Sequence, residues 1–505
     1  MNFKEKIYYK LSEINYRRKG RIKLKDMLSV AEIPVSSLDN SLIPLLNHPV
    51  RQISFVRKRM VPDSLAFGLF CESQELMKKA LSRGAFAIVV KEAVPGIPCI
   101  IVDNPMETYG KMCAYYRDLY PQIKTTAVTG SIGKTTVKNM VASVYRERYR
   151  TLVEPLNENE PDIIGFSAQH LSRHIDRWVQ EVAESVPGSA RSMSLIMKPD
   201  VVIITALENA HIGRLGSMDV ILDESCGVAT HLDSDGIVII NRDEFPALDR
   251  LGKKRIVSVS ESDESADYYA KDIEIHEDGL HYTIVENGAT GTTANPIHLK
   301  NIFARHNVLN SLYAYAAGRH SGITPETIAR GLGKYRTYGF RNNVYKSDSG
   351  KDIIYADCYN AVERSVRAAL NAAGQIPLSK GGKRIAILGD IQELGDKTAE
   401  EHLAILRDVN QSQFDTLILR GDYFNAASKD FPFRKGLEVF YMHSNEEIVS
   451  FLRPSLSKGN LYLFKASHSG HLEECIQEIW PSLFRKKEKE ELKLKKKWKL
   501  QTLLP

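Results

Sequence analysis

Short apolar runs rich in valine and isoleucine recur along the chain and alternate with segments of helical pattern. Each run is apolar on both faces and most end in a polar residue or a glycine, which is typical of strands buried in parallel sheets between helices. The pattern predicts an α/β fold with binding sites at the carboxyl ends of the strands. The eight runs are residues 85–90, 125–130, 200–207, 236–243, 352–357, 383–390, 415–422 and 460–467.

The length of 505 residues exceeds that of one ordinary domain and suits three domains of moderate size. We predict a first segment over residues 1–123, which ends near a Tyr-Pro pair. A second segment over 124–334 contains a glycine-rich loop and a long helical pattern. A third segment over 335–484 holds at least four strand signals, and a basic tail covers 485–505.

The net charge of +6 is concentrated at the two ends of the chain. Residues 1–26 and residues 485–499 each carry nine basic and three acidic side chains, so the part between them is net acidic. This distribution argues against a nucleic-acid-binding core, which needs basic residues gathered on a folded face. The basic tail is either a solvated helix or a weak attachment to an anionic membrane surface.

The six cysteines lie far apart without a CxxC pair, which excludes a zinc ribbon and a disulfide framework. No apolar run has the length of a signal segment or of a membrane span. We therefore expect a monomer in a reducing cytoplasm, acting on small molecules.

The most specific motif is TTAVTGSIGKTTVKNMVASVY, residues 125–145, in which an apolar strand enters a glycine-rich loop and then a helix. Glycines let successive N–H groups point at phosphate oxygens, and the helix start adds its positive dipole end. Lys134 is expected to reach the β- and γ-phosphates of ATP, and the Thr135 hydroxyl to bind Mg²⁺. Val128 stands where the strict phosphate-loop pattern has glycine, so a plain strand–helix turn is the alternative. The expected nucleotide contacts are Thr129, Gly130, Ser131, Gly133, Lys134, Thr135 and Thr136.

The form TGSIGKTT, with Thr129 before the glycine, resembles the phosphate loop of the Mur ligase family. Other blocks of the chain are similar to that family and follow its order. They are VPDSLAFGLF (61–70), ALSRGAFAIVV (80–90), KPDVVIITALENAHIGRLGS (198–217), ARHNVLNSLYAYAAG (304–318), DIIYADCYNAVERSVRAAL (352–370), KRIAILGDIQELGDKTAEEH (383–402) and YLFKASHSGHLEE (462–474).

This resemblance implies a three-domain α/β protein with a substrate domain, a central ATP-binding domain and a Rossmann-like third domain. It also implies an ATP-dependent ligase that joins a carboxylate to an amine through an acyl-phosphate. Among the branches of the family, the motifs are most like the one that adds D-alanyl-D-alanine to UDP-N-acetylmuramoyl-tripeptide.

The resemblance also implies roles for residues outside the loop. Glu181 and His211 match metal-binding positions, with Glu184 as a rival for the role of Glu181, and a solvent-facing helix residue is the alternative reading of Glu181. Three further residues match nucleotide contacts, namely Asn307 for adenine, Asp357 for the ribose and Arg341 for the γ-phosphate. Three others are expected to face the incoming substrate, namely Asn360, Lys465 and Ser467.

The sequence departs from the family pattern in three places. Ser225 stands where many members carry a carbamylated lysine, and no lysine occurs between Lys198 and Lys253. Our hypothesis is that Asp223 or Glu224 supplies a carboxylate instead, or that a second metal is held more weakly. The segment NENEPDIIGFS (157–167) is altered, and FVRKRMVPD (55–63) lacks the usual Asp-Ser-Arg element.

Three functional hypotheses remain at this point. The first is the cell-wall ligase of the branch named above. The second is a divergent relative that forms an amide on another carboxylate. The third is a ligase-like scaffold without turnover, which the retained Lys134 and Thr135 disfavour.

Overall fold

The computed structural model describes two compact units of the chain. It describes residues 22–483 except 59, 70–71, 155–158, 184–187, 208–216, 244, 247, 277, 289–290, 338–339, 360 and 393, together with 485, 489 and 493. The first unit comprises the described residues of 22–138 and 148–257, and the second those of 139–147 and 258–493. Within the described residues, no helix is both long and apolar enough to cross a membrane.

The first unit begins with a four-stranded parallel sheet in the order β1-β2-β3-β4. One face of this sheet packs on the main core of the unit, and Ala66, Ile88 and Val90 on the other face pack against Met77 and Ala80. The elements are α1 Leu24–Val30, β1 Gln52–Phe55, β2 Ser64–Phe67, α2 Gln74–Ser82, β3 Ala85–Val90, β4 Cys99–Ile101 and α3 Pro105–Asp118.

A second sheet of the first unit is parallel in the order β9-β8-β5-β7-β6. Its strands are almost wholly buried, because helices cover both faces. Its elements are β5 Lys124–Thr129, α4 Lys134–Tyr145, β6 Thr151–Val153, α5 Pro161–Gln169, β7 Arg177–Glu181, α6 Ser189–Met197, β8 Val201–Ile204, α7 Met218–Gly227 and β9 Ile237–Asn241. The chain passes between the units within α4, between Glu147 and Arg148, and within β10, Arg255–Ser260.

One side chain ties the edge of the first sheet to helix α5. The Gln169 amide accepts a hydrogen bond from the Ile53 N–H at 2.7 Å and donates one to the Ile53 carbonyl at 2.9 Å. Gln169 therefore satisfies both backbone groups of one residue on the edge strand β1, as a neighbouring strand would.

The second unit contains an antiparallel ribbon that the sequence analysis did not predict. Strands β11 Tyr268–His276, β12 Gly279–Gly288 and β13 Gly291–Lys300 form it, followed by α8 Asn307–His320 and α9 Pro325–Lys334. Its outer face is largely solvent-exposed, whereas Leu280, Tyr282, Ile284 and Leu299 point to the core.

The remainder of the second unit is a six-stranded sheet in the order β14-β15-β19-β16-β17-β18, in which only β14 is antiparallel. Helices pack on both faces over two apolar clusters. The elements are β14 Asn343–Lys346, β15 Ile353–Asp357, α10 Glu363–Gln375, β16 Arg384–Gly389, α11 Thr398–Gln411, β17 Thr416–Arg420, α12 Asp422–Ser428, β18 Glu438–Met442, α13 Asn445–Leu452, β19 Leu461–Lys465 and α14 Glu473–Ile479.

The α/β fold class is confirmed. All eight apolar runs contain strands, and each of these strands pairs in parallel with a neighbour. The helical pattern after residue 304 is confirmed by α8. The segment boundaries at 123/124 and 334/335 stay predictions.

Candidate functional site

The loop between β5 and α4 has a shape that glycine alone allows. Gly130 and Gly133 have φ angles of +114° and +90°, in the left-handed region. A β-carbon on Gly130 would also lie 2.9 Å from both the backbone nitrogen and the carbonyl oxygen of Thr205. The backbone of the predicted phosphate loop therefore depends on these two glycines.

Contacts with Ala206, just beyond the neighbouring strand β8, hold this loop at the carboxyl end of β5. The Ser131 N–H donates to the Ala206 carbonyl at 2.8 Å, and Ile132 forms a bridge to the same residue. The Lys134 ammonium donates to the Gly130 carbonyl and lies 3.4 Å from the Ser131 carbonyl. The Lys134 side chain therefore folds back over the loop, and its ammonium lies at the loop carbonyls. The backbone N–H groups at the start of α4 can donate hydrogen bonds to an anion bound at the same place.

One turn further along α4, Lys138 is fully buried. Its ammonium nitrogen lies 3.0 Å from Glu154 Oε1 and 3.9 Å from Glu181 Oε2, and it donates to the Glu154 carbonyl at 3.2 Å. A buried ammonium needs such partners, because burial of an unpaired charge costs several kcal/mol. Strands β6 and β7 lie side by side and bring the two carboxylates beneath the loop helix.

Within the described residues, each of the two carboxylates has one oxygen that receives no hydrogen bond. Glu154 Oε1 accepts the Glu181 N–H at 3.1 Å, and Glu181 Oε1 accepts from the Asn159 amide at 2.7 Å. Among the described residues, none donates a hydrogen bond to Oε2 of either group, although both atoms are buried. Burial raises the pKa of Glu154 to about 8; the Lys138 ammonium opposes this rise and Glu181 adds to it.

These buried oxygens fit a hard divalent cation such as Mg²⁺, which prefers oxygen ligands. Glu181 is the last residue of β7 and is 2% exposed, so its reading as a solvent-facing helix residue is wrong. Thr135 lies in the first turn of α4, and its role as a metal ligand stays a prediction. His211 and Glu184, the other residues expected near a metal, lie outside the described residues.

The structure argues against the hypothesis that Asp223 or Glu224 replaces a carbamylated lysine. The Glu224 carboxylate accepts hydrogen bonds from the N–H groups of Gly188 and Ala190, at 2.6 and 3.0 Å, at the start of α6. Asp223 is 63% exposed and pairs with Arg250. Both carboxylates thus already have other partners, and the alternative of a more weakly held second metal stays a prediction.

In the second unit, the ends of two neighbouring strands bring Asp357 and Lys465 together. These residues are register partners at the carboxyl ends of β15 and β19, and their side chains form a buried ion pair at 2.9 Å. The other Asp357 oxygen accepts the Asn342 N–H at 3.1 Å. The Asp357–Lys465 pair thus lies at the carboxyl end of parallel strands, where a binding site is expected in an α/β fold.

Other predicted residues of the second unit lie close to this pair in sequence or in space. The Arg341 guanidinium lies 3.8 Å from the centre of the Tyr359 ring, which stacks on His468. The Ser467 hydroxyl accepts the Gln392 N–H at 3.2 Å. Asn360 lies outside the described residues.

Asn307 is the first residue of α8 and is 1% exposed. Its amide donates to the Ala304 carbonyl at 3.1 Å and accepts from Asn310 at 3.2 Å. Next to it, the His306 ring contacts the Asn342 amide at 3.3 Å, and burial lowers the pKa of His306 to about 4. The adenine contact of Asn307 stays a prediction.

The sequence analysis missed Lys138 and Glu154. Lys138 had a recognisable signal, because it is the one charged residue of the helical run TTVKNMVASVY after the loop lysine. Glu154 had none, since nothing in a single sequence shows that β6 lies beside β7.

A parallel sheet with a phosphate loop at the end of its central strand, next to buried carboxylates, defines the first unit as a nucleotide-binding α/β protein. Residues 128–318 match the family model of the Mur ligase middle domain, and residues 341–468 match that of the Mur ligase glutamate ligase domain. Together these matches span well over half of the chain. The chain therefore belongs to the Mur ligase family and is an ATP-dependent ligase.

Curated relatives and solved structures agree with this assignment. The chain is 29% identical over 415 residues to UDP-N-acetylmuramoyl-tripeptide–D-alanyl-D-alanine ligase of Bacillus subtilis, covering 81% of this chain and 88% of that protein. The enzyme of the same name from Escherichia coli is 24% identical over 409 residues, covering 80% and 88%.

MurF from Acinetobacter baumannii has a similar fold, with a TM-score of 0.73, 22% identity and coverage of 90% of this chain and 98% of that one. MurF from Thermotoga maritima, solved in complex with ADP, gives a TM-score of 0.70 at 20% identity, covering 86% and 98%.

Proposed function

We propose that the protein joins D-alanyl-D-alanine to UDP-N-acetylmuramoyl-tripeptide at the expense of ATP, in the cytoplasm, as the curated relatives are named to do. The observation that carries the ligase chemistry is the phosphate loop of β5 and α4 with two buried carboxylates next to it. The relatives support the choice of substrates, since their match extends over about four fifths of the chain.

The reaction proceeds in two transfers. A carboxylate oxygen of the tripeptide attacks the γ-phosphorus of ATP, the bond to the β-phosphate oxygen breaks, and ADP leaves. The amine nitrogen of the dipeptide then attacks the acyl-phosphate carbon, inorganic phosphate leaves, and the nitrogen loses its proton. The product is an amide, and water must be excluded because an acyl-phosphate hydrolyses.

In the first unit, we assign the triphosphate to the N–H groups of residues 130–136 and to the Lys134 ammonium, which would exchange its loop carbonyls for phosphate oxygens. Glu181 and the Thr135 hydroxyl would hold Mg²⁺, which offsets the charge of the phosphates when it is bound. Lys138 holds Glu154 and Glu181 in place and is a positioning residue.

In the second unit, we assign nucleotide contacts to Asp357, Arg341 and Asn307, and contacts with the incoming amine substrate to Lys465 and Ser467. The buried pair of Asp357 and Lys465 supports this assignment, because a buried charge pair at a strand end fixes two polar groups for recognition.

The test is phosphate release from ATP and Mg²⁺ with UDP-N-acetylmuramoyl-tripeptide and D-alanyl-D-alanine, each omitted in turn. We expect release that needs both substrates, together with a product of the combined mass. Lys134→Ala should lower the rate at least about 100-fold, since it removes a charge directed at the transferred group. Lys111→Ala, which removes an exposed lysine paired with Glu32, is the matched control and should keep full activity.

A protein that binds ATP but releases no phosphate with these substrates would refute the cell-wall assignment and favour a ligase acting on another carboxylate. Failure to bind ATP at all would refute the ligase assignment and leave the scaffold hypothesis.

A further inference from the structure

The outer face of the antiparallel ribbon carries a group of histidines. His281 of β12 and His298 of β13 are direct cross-strand partners, and the neighbouring residues on both strands point to the core. Their rings stack at 4.0 Å with an angle of 23°. The turn between β11 and β12 places Asp278 beside both rings.

Three possible ligand atoms converge at this place. The His281 Nε2 lies 2.9 Å from one Asp278 oxygen, and the His298 Nε2 lies 3.1 Å from the other. All three ligand atoms lie within 4.8 Å of one another, and among the described residues this is the one group of three that meets that spacing. A turn of the two rings out of their stack would bring these three atoms within about 2.0–2.2 Å of one transition-metal ion.

The contacts within the group leave one nitrogen unsatisfied. The His298 Nε2 is shielded from solvent and makes no hydrogen bond of normal geometry with any described residue, in spite of the nearby carboxylate oxygen. A bound cation would satisfy this nitrogen, because a neutral imidazole offers its lone pair to a metal ion.

We propose that Asp278, His281 and His298 form a binding site for a late first-row divalent metal ion of the Zn²⁺ class. Two imidazoles and one carboxylate are a donor set that Zn²⁺ accepts with water as the fourth ligand. Mg²⁺ prefers oxygen donors and regular octahedra, so it would not compete for this site.

His276 borders the site and packs against one ligand. Its ring lies 4.6 Å from the His281 ring, and its Nε2 contacts Glu274 at 2.8 Å. The bound ion would join the turn after β11 to β13, next to the hydrogen bond that the Asn301 N–H donates to the Asp278 carbonyl at 2.7 Å. It would thus be a structural ion that stabilises the ribbon, and this role does not depend on the proposed ligase activity.

The test is titration of the full-length protein with Zn²⁺ in excess Mg²⁺, followed by calorimetry and native mass spectrometry. We expect one equivalent to bind, with an affinity that falls at least about tenfold in His281→Ala/His298→Ala. Asp278→Asn, which keeps the shape of the turn, should weaken binding by a similar factor. Co²⁺ in place of Zn²⁺ should give visible absorption bands that the variants lack.

The matched control is His468→Ala/His471→Ala. These two histidines also face one carboxylate, that of Glu473, at 3.3 and 3.6 Å, but they do not meet the ligand spacing. The control should keep the affinity of the wild type. The proposal is overturned if the wild type binds no equivalent, or if the ribbon variants bind Zn²⁺ as well as the wild type does.

Discussion

Replacement of Lys138 by methionine removes a fully buried ammonium while nearly preserving side-chain volume. Glu154 and Glu181 then remain buried, each with an oxygen that no described residue serves. Loss of one member of a buried charge pair costs about 3–5 kcal/mol. For a unit of this size, that loss lowers the melting temperature by roughly 10 °C.

Glu154→Gln should cost much less than Lys138→Met. The ammonium keeps the Glu154 main-chain carbonyl at 3.2 Å and the Glu181 carboxylate at 3.9 Å, and the glutamine amide oxygen can still accept from it. The double variant Lys138→Met/Glu154→Gln should be more stable than the sum of the two losses predicts, because it removes both charges of the pair.

Differential scanning calorimetry of the four proteins above pH 8 provides the measurement, because Glu154, whose pKa is about 8, is then ionised. Lys138 does not stabilise the unit in this way if Lys138→Met melts within about 2 °C of the wild type, or if Glu154→Gln is the more damaging single change. ATP affinity measured in parallel should fall in Lys138→Met, since α4 carries both the loop lysine and Lys138.

Three other predictions concern single positions. Gly130→Ala should lower the free energy of unfolding by about 1–3 kcal/mol and weaken ATP binding at least tenfold, because the φ of Gly130 is +114° and Thr205 occupies the space of a β-carbon. The control Gly96→Ala, at φ +73° with open space around it, should leave ATP affinity unchanged in the same binding assay. The pKa of His306 falls from 6.5 to about 4 on folding, so the folded state gains at most about 3 kcal/mol of stability above pH 6.5 and loses it as the pH falls towards 4. His306→Gln should flatten this pH dependence of the free energy of unfolding, measured by denaturant titration. Asp352→Asn should destabilise the second unit by about 2–3 kcal/mol, because the buried Asp352 carboxylate accepts hydrogen bonds from three backbone N–H groups of the turn before β19. An unchanged melting temperature would contradict that role.

The parallel sheets could be predicted from the sequence because their strands are buried on both faces. The stretches VVII (201–204) and IAIL (385–388) are apolar at every position and buried, and a parallel sheet between two layers of helices covers such strands on both faces. The phosphate loop could also be predicted, because its backbone needs positive φ angles at two positions and both positions carry glycine, the residue that adopts such angles readily.

The antiparallel ribbon could not be predicted in the same way. Strand β13 contains a proline and several polar residues, and its exposed face gives no regular apolar alternation. Ten register pairs with β12 stabilise it, and Pro296 is tolerated because β13 is an edge strand. Two other features could not be predicted either, namely the ion pair of Lys138 with Glu154 and the hydrogen bonds of Glu224. Both depend on which strands and helices lie side by side, and the residue pattern of a single sequence does not show this.

The contact between Gln169 and Ile53 bears on how parts of such enzymes can be exchanged. An edge strand offers its N–H and carbonyl groups to any partner, and here a single glutamine on a helix takes both. A chimera that imports β1 to β4 from a relative keeps these backbone groups whatever its sequence, so the recipient helix has to supply the amide. Grafts into a Gln169→Leu background should fold less readily and associate more through the uncovered strand than grafts into the native helix.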